Sequence, residues 1–554
     1  MKKIIILSFA IISVLNLFSQ APYYGWASAS AGNNNDDSRV VTSDAAGNVY
    51  VIGDFTSTTF TVGSTALTNL GGIDIFVAKY NSSGQVLWAK SIGGTSNESG
   101  RGIALDANGN VYITGYFFSP SITVGPNTLN NTASGTSDIF IAKLDSSGNA
   151  LWAKSIGGTD QDYAQRITTD ATGNVYLTGN YYSSSIAFGS ATLTQSGGGD
   201  MFIAKYDSSG NALWAKSAVG AGYDLGFCIA TDPSGNVVVG GAFTSDSLTF
   251  GTVTLTNTAT MQEIFVVKYA GDGTVLWAVQ SIDSGTVNAW DICADASGNF
   301  YLAGSSRAAI SFGSVHLPNA GNYDMIVVKY NSAGTVQWAR SAGGSADEEA
   351  RSISVDHKNN IWVTGVFGSS SIMLGSNQLN NAGGSNIFLM AYDSLANVLW
   401  AQAAGGPGYD NAYSITAKTN GRVYFAGKFL GDSLILGNTV LSDSGFYDFF
   451  VCQLIVPDPT GINDINDQQT NEKLWCYPNP FDQNININFE VSMKGTVTLR
   501  LLDIYGNEAI RIVQNKDAGS YHATFNTAGL ATGIYFCELK TQAQTVTKKL
   551  ILAR

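Results

Sequence analysis

The sequence predicts an all-β chain of repeated antiparallel sheets, on the strength of three markers at fixed spacing. Tryptophan recurs at Trp26, Trp88, Trp152, Trp214, Trp277, Trp338 and Trp400, in steps of 61 to 64 residues. A second marker, mostly the aromatic of Gly-Asn-Val-Tyr, falls at Tyr50, Tyr112, Tyr176, Val238, Tyr301, Trp362 and Tyr424, always 24 residues after its Trp. A third marker of the Asp-Ile-Phe type starts at Asp74, Asp138, Asp200, Glu263, Asp324, Asn386 and Asp448, and wherever a Trp follows the gap is 14 residues. All length variation therefore lies between the second and third markers. That segment is expected to be a surface loop, because loops absorb insertions and paired strands do not.

The segments at the markers have strand composition. Residues 111–117, 138–144 and 150–156 are short, aromatic and β-branched. Asp-x-x-Gly-Asn turns precede the second marker at Asp44, Asp106, Asp170, Asp232 and Asp295, where the Asp can cap its own turn and the Gly supplies a positive φ. A Gly stands three residues after every second marker, from Gly53 to Gly427, and inside a strand it signals a bend or a close backbone approach. Each unit thus supplies about four strands and no helix. A lone sheet of that size cannot bury both faces, but seven in radial array can. The expected fold is a seven-bladed β-propeller over residues 21–457. The array opens with a lone Trp26 strand and ends with a lone third strand from Asp448, so the first can complete the last sheet and close the ring.

These residues carry a resemblance. The pattern D-x-x-G-N-V-Y-x-x-G-x-F, then F-G, then D-I-F-V-A-K-Y-D-S-S-G-x-x-L-W-A-K-S-I-G-G resembles the SBBP family of bacterial β-propeller repeats, which implies the fold and says little about function.

Both ends read as export signals. Lys2 and Lys3 precede an apolar run from Ile4 to Phe18, short for a membrane span and matching a signal peptide over residues 1–20. No Cys follows the run, so a lipid anchor is not expected. Residues 458–472 read as a polar linker, and residues 473–554 alternate like about seven short strands of a small β-sandwich. Within that segment stand Tyr477-Pro478-Asn479-Pro480-Phe481, then Leu502-Asp503-Ile504-Tyr505-Gly506, Leu530-Ala531-Thr532-Gly533-Ile534-Tyr535, and finally Lys548-Lys549-Leu550-Ile551. The order is similar to the type A sorting domain of the Bacteroidetes type IX secretion system. The resemblance implies a partnership with that machinery, export across the outer membrane, removal of the tag, and release or attachment at the cell surface.

Composition narrows the function. The chain has 42 acids against 29 bases and a net charge of −13, with no run of Lys or Arg, which argues against nucleic acid as a partner. Three separated histidines, His316, His357 and His522, offer no cluster for a metal and little acid–base chemistry. No metal and no cofactor is expected, nor a transmembrane span in the mature form, and a monomer is expected. Cys228, Cys293 and Cys452 read as small buried residues, whereas Cys476 and Cys537 are a candidate pair in an oxidising compartment.

One ring of positions is the candidate site. Fourteen residues before the second marker stand Asp36, Glu98, Asp162, Asp224, Glu348 and Asp410, with Val287 in the fifth repeat. Three residues later come Arg39, Arg101, Gln165, Phe227, Trp290, Arg351 and Tyr413. Both sets precede the strand expected to be innermost and should encircle one mouth of the central tunnel. The acids have two readings, a cation, amine or sugar site or acceptors of backbone N–H bonds between blades, and their recurrence favours the second. The variable Arg/Trp/Tyr set is the better ligand contact. The Trp residues are expected to be wedges between blades. The expectation is a non-catalytic binder of an extracellular glycan or protein; the alternative is a polysaccharide hydrolase or lyase on the same scaffold.

Overall fold

A computed structural model describes residues 21–457 and 474–553, apart from 31, 259–260, 283–284, 420, 432, 444–445, 478–480, 504–505 and 543–544. The signal peptide and linker expected from the sequence, and Pro478, Asn479 and Pro480 of the C-terminal motifs, lie outside the described residues. The chain divides into two compact units, one covering residues 21–456 and the other residues 457–554.

Among the described residues, the strands of the first unit all pair antiparallel. Its first sheet runs in the order Asp36–Ser43, Val49–Phe55, Asp74–Tyr80, Val86–Ile92. Six further sheets begin at Glu98–Leu105, Asp162–Thr169, Asp224–Thr231, Val287–Ala294, Glu348–Val355 and Asn411–Thr419, each of four strands except that from Asp224–Thr231, which the hairpin Ile310–Phe312 with Val315–Leu317 extends to six. The first strand of each sheet touches the first strand of the next, and that of the seventh touches that of the first. The outermost strand of the seventh sheet is Tyr23–Ala29, from the other end of the unit. It pairs with Asp448–Ile455, setting Trp26 opposite Gln453. Ser38 Oγ donates to the Gly427 carbonyl at 2.9 Å, and Val41 N to Ser414 Oγ at 3.0 Å, so the first and seventh sheets are also tied at their first strands.

Two sequence expectations need correction. The innermost strand is not the marker strand but the one before it, which begins at the recurring acid. Stretches such as Glu98-Ser-Gly-Arg-Gly-Ile-Ala-Leu are poor in the β-branched and aromatic residues that marked the other strands. The segment expected to be a surface loop holds a short hairpin in every unit, such as Thr59–Val62 with Thr65–Thr68. Phe60, Val62 and Leu67 are buried there, against Phe76 and Ala89 of the same sheet.

The core lies between sheets. Tyr50, Ile52 and Val77 of the first pack with Ile103, Ile113 and Phe140 of the second, while Val51 and Phe76 pack with Tyr424 and Phe449 of the seventh. Six of the marker Trp residues, from Trp26 to Trp338, each span one of these interfaces. Trp88 Nε1 donates to Ser146 O at 3.1 Å, Trp152 Nε1 to Ser208 O at 3.2 Å, and Trp26 Nε1 to Ser82 O at 3.0 Å. The accepting turn needs Gly for two reasons. Gly84 has φ of 82°, and a Cβ there would lie 2.6 Å from the Trp26 ring. The Asp turns are capped as expected, with Asp106 Oδ1 accepting from Asn108 N and Asn110 N, both at 2.9 Å.

The second unit contains a three-stranded sheet and a four-stranded sheet around one core that includes Ile487, Phe489, Leu499 and Leu539. Cys476 packs against this core and Cys537 lies within it, and both are thiols. Gly506 has φ of 81° and closes a turn capped by Asp503, whose Oδ1 accepts from Asn507 N at 2.8 Å. Gly533 opens the strand Gly533–Lys540, in which the buried Tyr535 donates its hydroxyl to the Ala531 carbonyl at 2.8 Å. Lys548 and Lys549 lie in the last strand, Thr545–Leu552.

Candidate ligand-binding site

The innermost strands share one irregularity. In the first sheet the pairing register shifts between Ser38 and Val40, leaving Arg39 as the extra residue of a β-bulge. The same shift leaves out Arg101, Gln165, Phe227, Trp290, Arg351 and Tyr413 in the other six sheets. A bulge bends its strand and re-aims one side chain. The recurring Gly after the second marker makes the bulge possible. A Cβ on Gly53 would stand 2.1 Å from the Asp37 carbonyl oxygen, and one on Gly365 1.8 Å from that of Glu349.

All seven bulge residues, with Arg166, line one cavity of about 110 Å³. The strands at the ring's centre thus each contribute one re-aimed side chain. Four of the eight lining residues carry a guanidinium. Arg39 donates from Nε to Asp54 Oδ2 at 2.9 Å, with Asp37 3.4 Å away. Burial alone would lower its pKa, yet these two carboxylates carry it above the ordinary value. Arg351 pairs with Glu349 at 2.6 Å and lies over the Trp290 ring at 4.1 Å from its centroid. Burial raises the Glu349 pKa, and Arg351 opposes that rise.

The other two are differently held. Arg101 Nη2 donates to the Tyr116 hydroxyl at 2.8 Å, and no carboxylate stands within ion-pair distance of it among the described residues. Arg166 Nη1 donates to the carbonyls of Arg101 at 3.0 Å and Gln165 at 3.1 Å. Burial lowers its pKa, and Asp291 opposes that. Asp291 is held by Ser352 Oγ at 2.6 Å and Ile353 N at 3.1 Å. Buried Nε atoms of Arg101 and Arg351 have no hydrogen-bond partner. Arg166 was missed in the sequence because it is the only basic residue one place beyond a bulge.

The recurring acids do not line this cavity, so the sequence-based inclusion of them among ligand contacts is corrected. Asp36, Glu98, Asp162, Asp224, Glu348 and Asp410 are all buried at the start of the innermost strands. Asp36 Oδ2 accepts from Ser57 Oγ at 2.8 Å and Oδ1 from Thr56 N at 3.2 Å. Asp162 and Asp224 likewise take Ser183 Oγ at 2.8 Å and Ser245 Oγ at 2.6 Å. Glu98 accepts from Gly94 N at 2.8 Å, Glu348 from Gly344 N at 2.6 Å, and Asp410 from Gly406 N at 2.7 Å. Burial pushes Asp36 and Asp410 up to about 7 and Asp162 to about 6. These carboxylates satisfy the backbone of the links between sheets. Arg39, Arg101, Trp290, Arg351 and Tyr413, by contrast, meet at one place.

Comparison with known proteins adds the following. Residues 476–553 match the family described as secretion system C-terminal sorting domain. The chain carries a type IX sorting domain. A domain of this kind marks the chain for secretion and attachment at the cell surface, through the type IX machinery. Residues 87–116 match the family described as beta-propeller repeat, a span that includes both Trp88 and Arg101. Among the described residues no helix is long and apolar enough to cross a membrane.

The chain is 26% identical over 388 residues to an uncharacterized WD repeat-containing protein of Acanthamoeba polyphaga mimivirus, covering 56% of this chain and 28% of that protein. It is 30% identical over 171 residues to the regulatory protein FlaEY of Caulobacter vibrioides, covering 30% of this chain and 18% of the relative. It thus spans less than a third of either. Solved structures with some likeness include YCF48 bound to D1 peptide, at a TM-score of 0.36 and 10% identity, covering 80% of this chain and 98% of that one. A puromycin hydrolase mutant has a TM-score of 0.38 and 11% identity, covering 85% of this chain and 61% of that one.

Proposed function

We propose that the seven sheets are the blades of one seven-bladed β-propeller, and that the sorting domain is a small β-sandwich that delivers it. In this reading the exported propeller binds an extracellular glycan or protein in the cavity lined by the bulge residues, without catalysis. The observation that carries it is the convergence: seven sheets each place one side chain, by the same bulge, into a single cavity. Five residue types occupy those seven positions, whereas the Trp residues around them repeat without exception and the acids in all but the fifth sheet. Structural positions repeat because each sheet needs the same packing, and a ligand site departs from symmetry because its ligand has none. The lining offers guanidinium, indole, phenol and amide groups, which hold and orient a ligand.

The test is retention of the full-length protein on immobilised extracellular glycans and proteins, beside the variant Trp290→Ala/Tyr413→Ala. The wild type is expected to be retained, and the variant to fold with a similar melting temperature and wash through. Equal retention of both would remove the cavity from the reading. Conversion of a retained polysaccharide into shorter products would replace binding with hydrolase or lyase activity.

A further inference from the structure

We infer that the cavity accepts a sugar bearing a carboxylate, with the carboxylate on the guanidinium cluster and the neighbouring sugar rings along an arc of tyrosines. The inference rests on the reading of the cavity as the ligand site. Four guanidiniums line a space of about 110 Å³, and none of its eight lining residues is acidic. Arg39 and Arg351 are braced from behind by Asp54 and Glu349, which orients them. Arg101 has no such brace, and its buried Nε and that of Arg351 lack any partner. A buried donor without an acceptor is costly, and an arriving carboxylate would satisfy two such donors with charge-assisted bonds.

The arc starts at the same Arg101. The Tyr116 hydroxyl accepts from it, and the Tyr116 ring meets Tyr163 of the next sheet at 4.7 Å between centroids. Tyr163 meets Tyr182 at 6.1 Å, and Tyr182 meets Tyr223, at the entry to the fourth sheet, at 6.4 Å. Tyr223 is 53% exposed. Tyrosine combines a flat apolar ring with a polar tip, which suits the mixed surface of a sugar. The cavity has room for one acidic group, and the net charge of −13 disfavours a polyanion. A sugar chain with a single acidic unit fits both limits.

The experiment applies the full-length protein to an array of glucuronate-, galacturonate- and sialate-ended glycans, their carboxyl-reduced counterparts, and acidic peptides. Arg101→Gln tests the anchor and the exposed Tyr223→Ala tests the arc, with thermal melting to check folding. Acid-ended glycans should bind, with affinity about tenfold or more weaker after carboxyl reduction or in Arg101→Gln. Tyr223→Ala should weaken binding several-fold. Equal binding of the reduced glycans, still lost in Arg101→Gln, would overturn the acidic assignment while leaving the cavity as the ligand site. Binding of acidic peptides alone would overturn the glycan. Binding that neither variant changes would overturn the cavity reading itself, and no binding at all would overturn the acidic-sugar assignment.

Discussion

At the scale of residues, the buried acid and a serine twenty-one positions later form one unit. Asp36 with Ser57, Asp162 with Ser183 and Asp224 with Ser245 are bonded pairs. In the fifth repeat the positions hold Val287 and Ala308, so both polar partners are replaced together, which avoids an orphaned group. In the seventh, Asp410 faces Gly431, and its Oδ1 has no partner. The pH dependence follows. Folding raises Asp36 and Asp410 from 3.8 to about 7, so the folded state holds more protons between those values. Their contribution to stability is therefore full below pH 3.8 and is lost as pH rises through about 7. Asp36→Asn and Asp410→Asn are expected to flatten the fall in melting temperature between pH 5 and pH 8. Where the hydrogen bonds survive, each should cost about 1 kcal/mol or less at low pH. An unchanged slope in both variants would show that the shift lies elsewhere. A second residue-scale prediction concerns Ala396, whose φ of 66° occupies a turn position held elsewhere by Gly84, Gly148, Gly210, Gly273 and Gly334. Ala396→Gly should relieve strain and stabilise the fold by about 1 kcal/mol, read by denaturant midpoint. A lower midpoint would mean that packing of the lost methyl matters more.

At the scale of elements, the strand Tyr23–Ala29 closes the ring by pairing with Asp448–Ile455 and docking Trp26 on the turn at Ser82. Deleting residues 21–33 should leave the edge of Asp448–Ile455 unpaired and lower the melting temperature. Aggregation should also increase, and an unchanged melting curve would refute closure by this strand. The marker strands and their turns were legible in the sequence because aromatic, β-branched and Asp-x-x-Gly-Asn patterns act locally. The innermost strands and the hairpins were not. An innermost strand is mixed in composition, with polar, small and large residues interleaved, and a hairpin of two strands of three or four residues is too short to show a clear alternation.

At the scale of the whole molecule, the C-terminal unit carries the sorting domain and the larger unit holds the cavity for which binding is proposed. Removing residues 473–554 should leave the larger unit in the periplasm, detected by its protection from protease added to intact cells. Surface display of the truncated chain would end the assignment of export to this segment. Among its motifs, the turn at Gly506 and the strand residue Tyr535 have evident structural roles in the described part.

The sequence by itself determined the repeat, its phase and the all-β class, because Trp26 to Trp400 and their partners recur at distances that one supersecondary unit must keep. It also marked the recurring glycine as a close approach, since only a backbone lacking Cβ accepts a carbonyl oxygen about 2 Å from where Cβ would be. The positions of the candidate site were visible as a column of variable residues. Only the tertiary structure decided which column lines the cavity. Asp36 and Arg39 stand three residues apart on one strand, yet one is sealed among backbone N–H groups while the other reaches the cavity. Positions three apart face opposite sides of any strand; what the pairing of two strands adds is the bulge that re-aims Arg39, which no single strand's sequence displays.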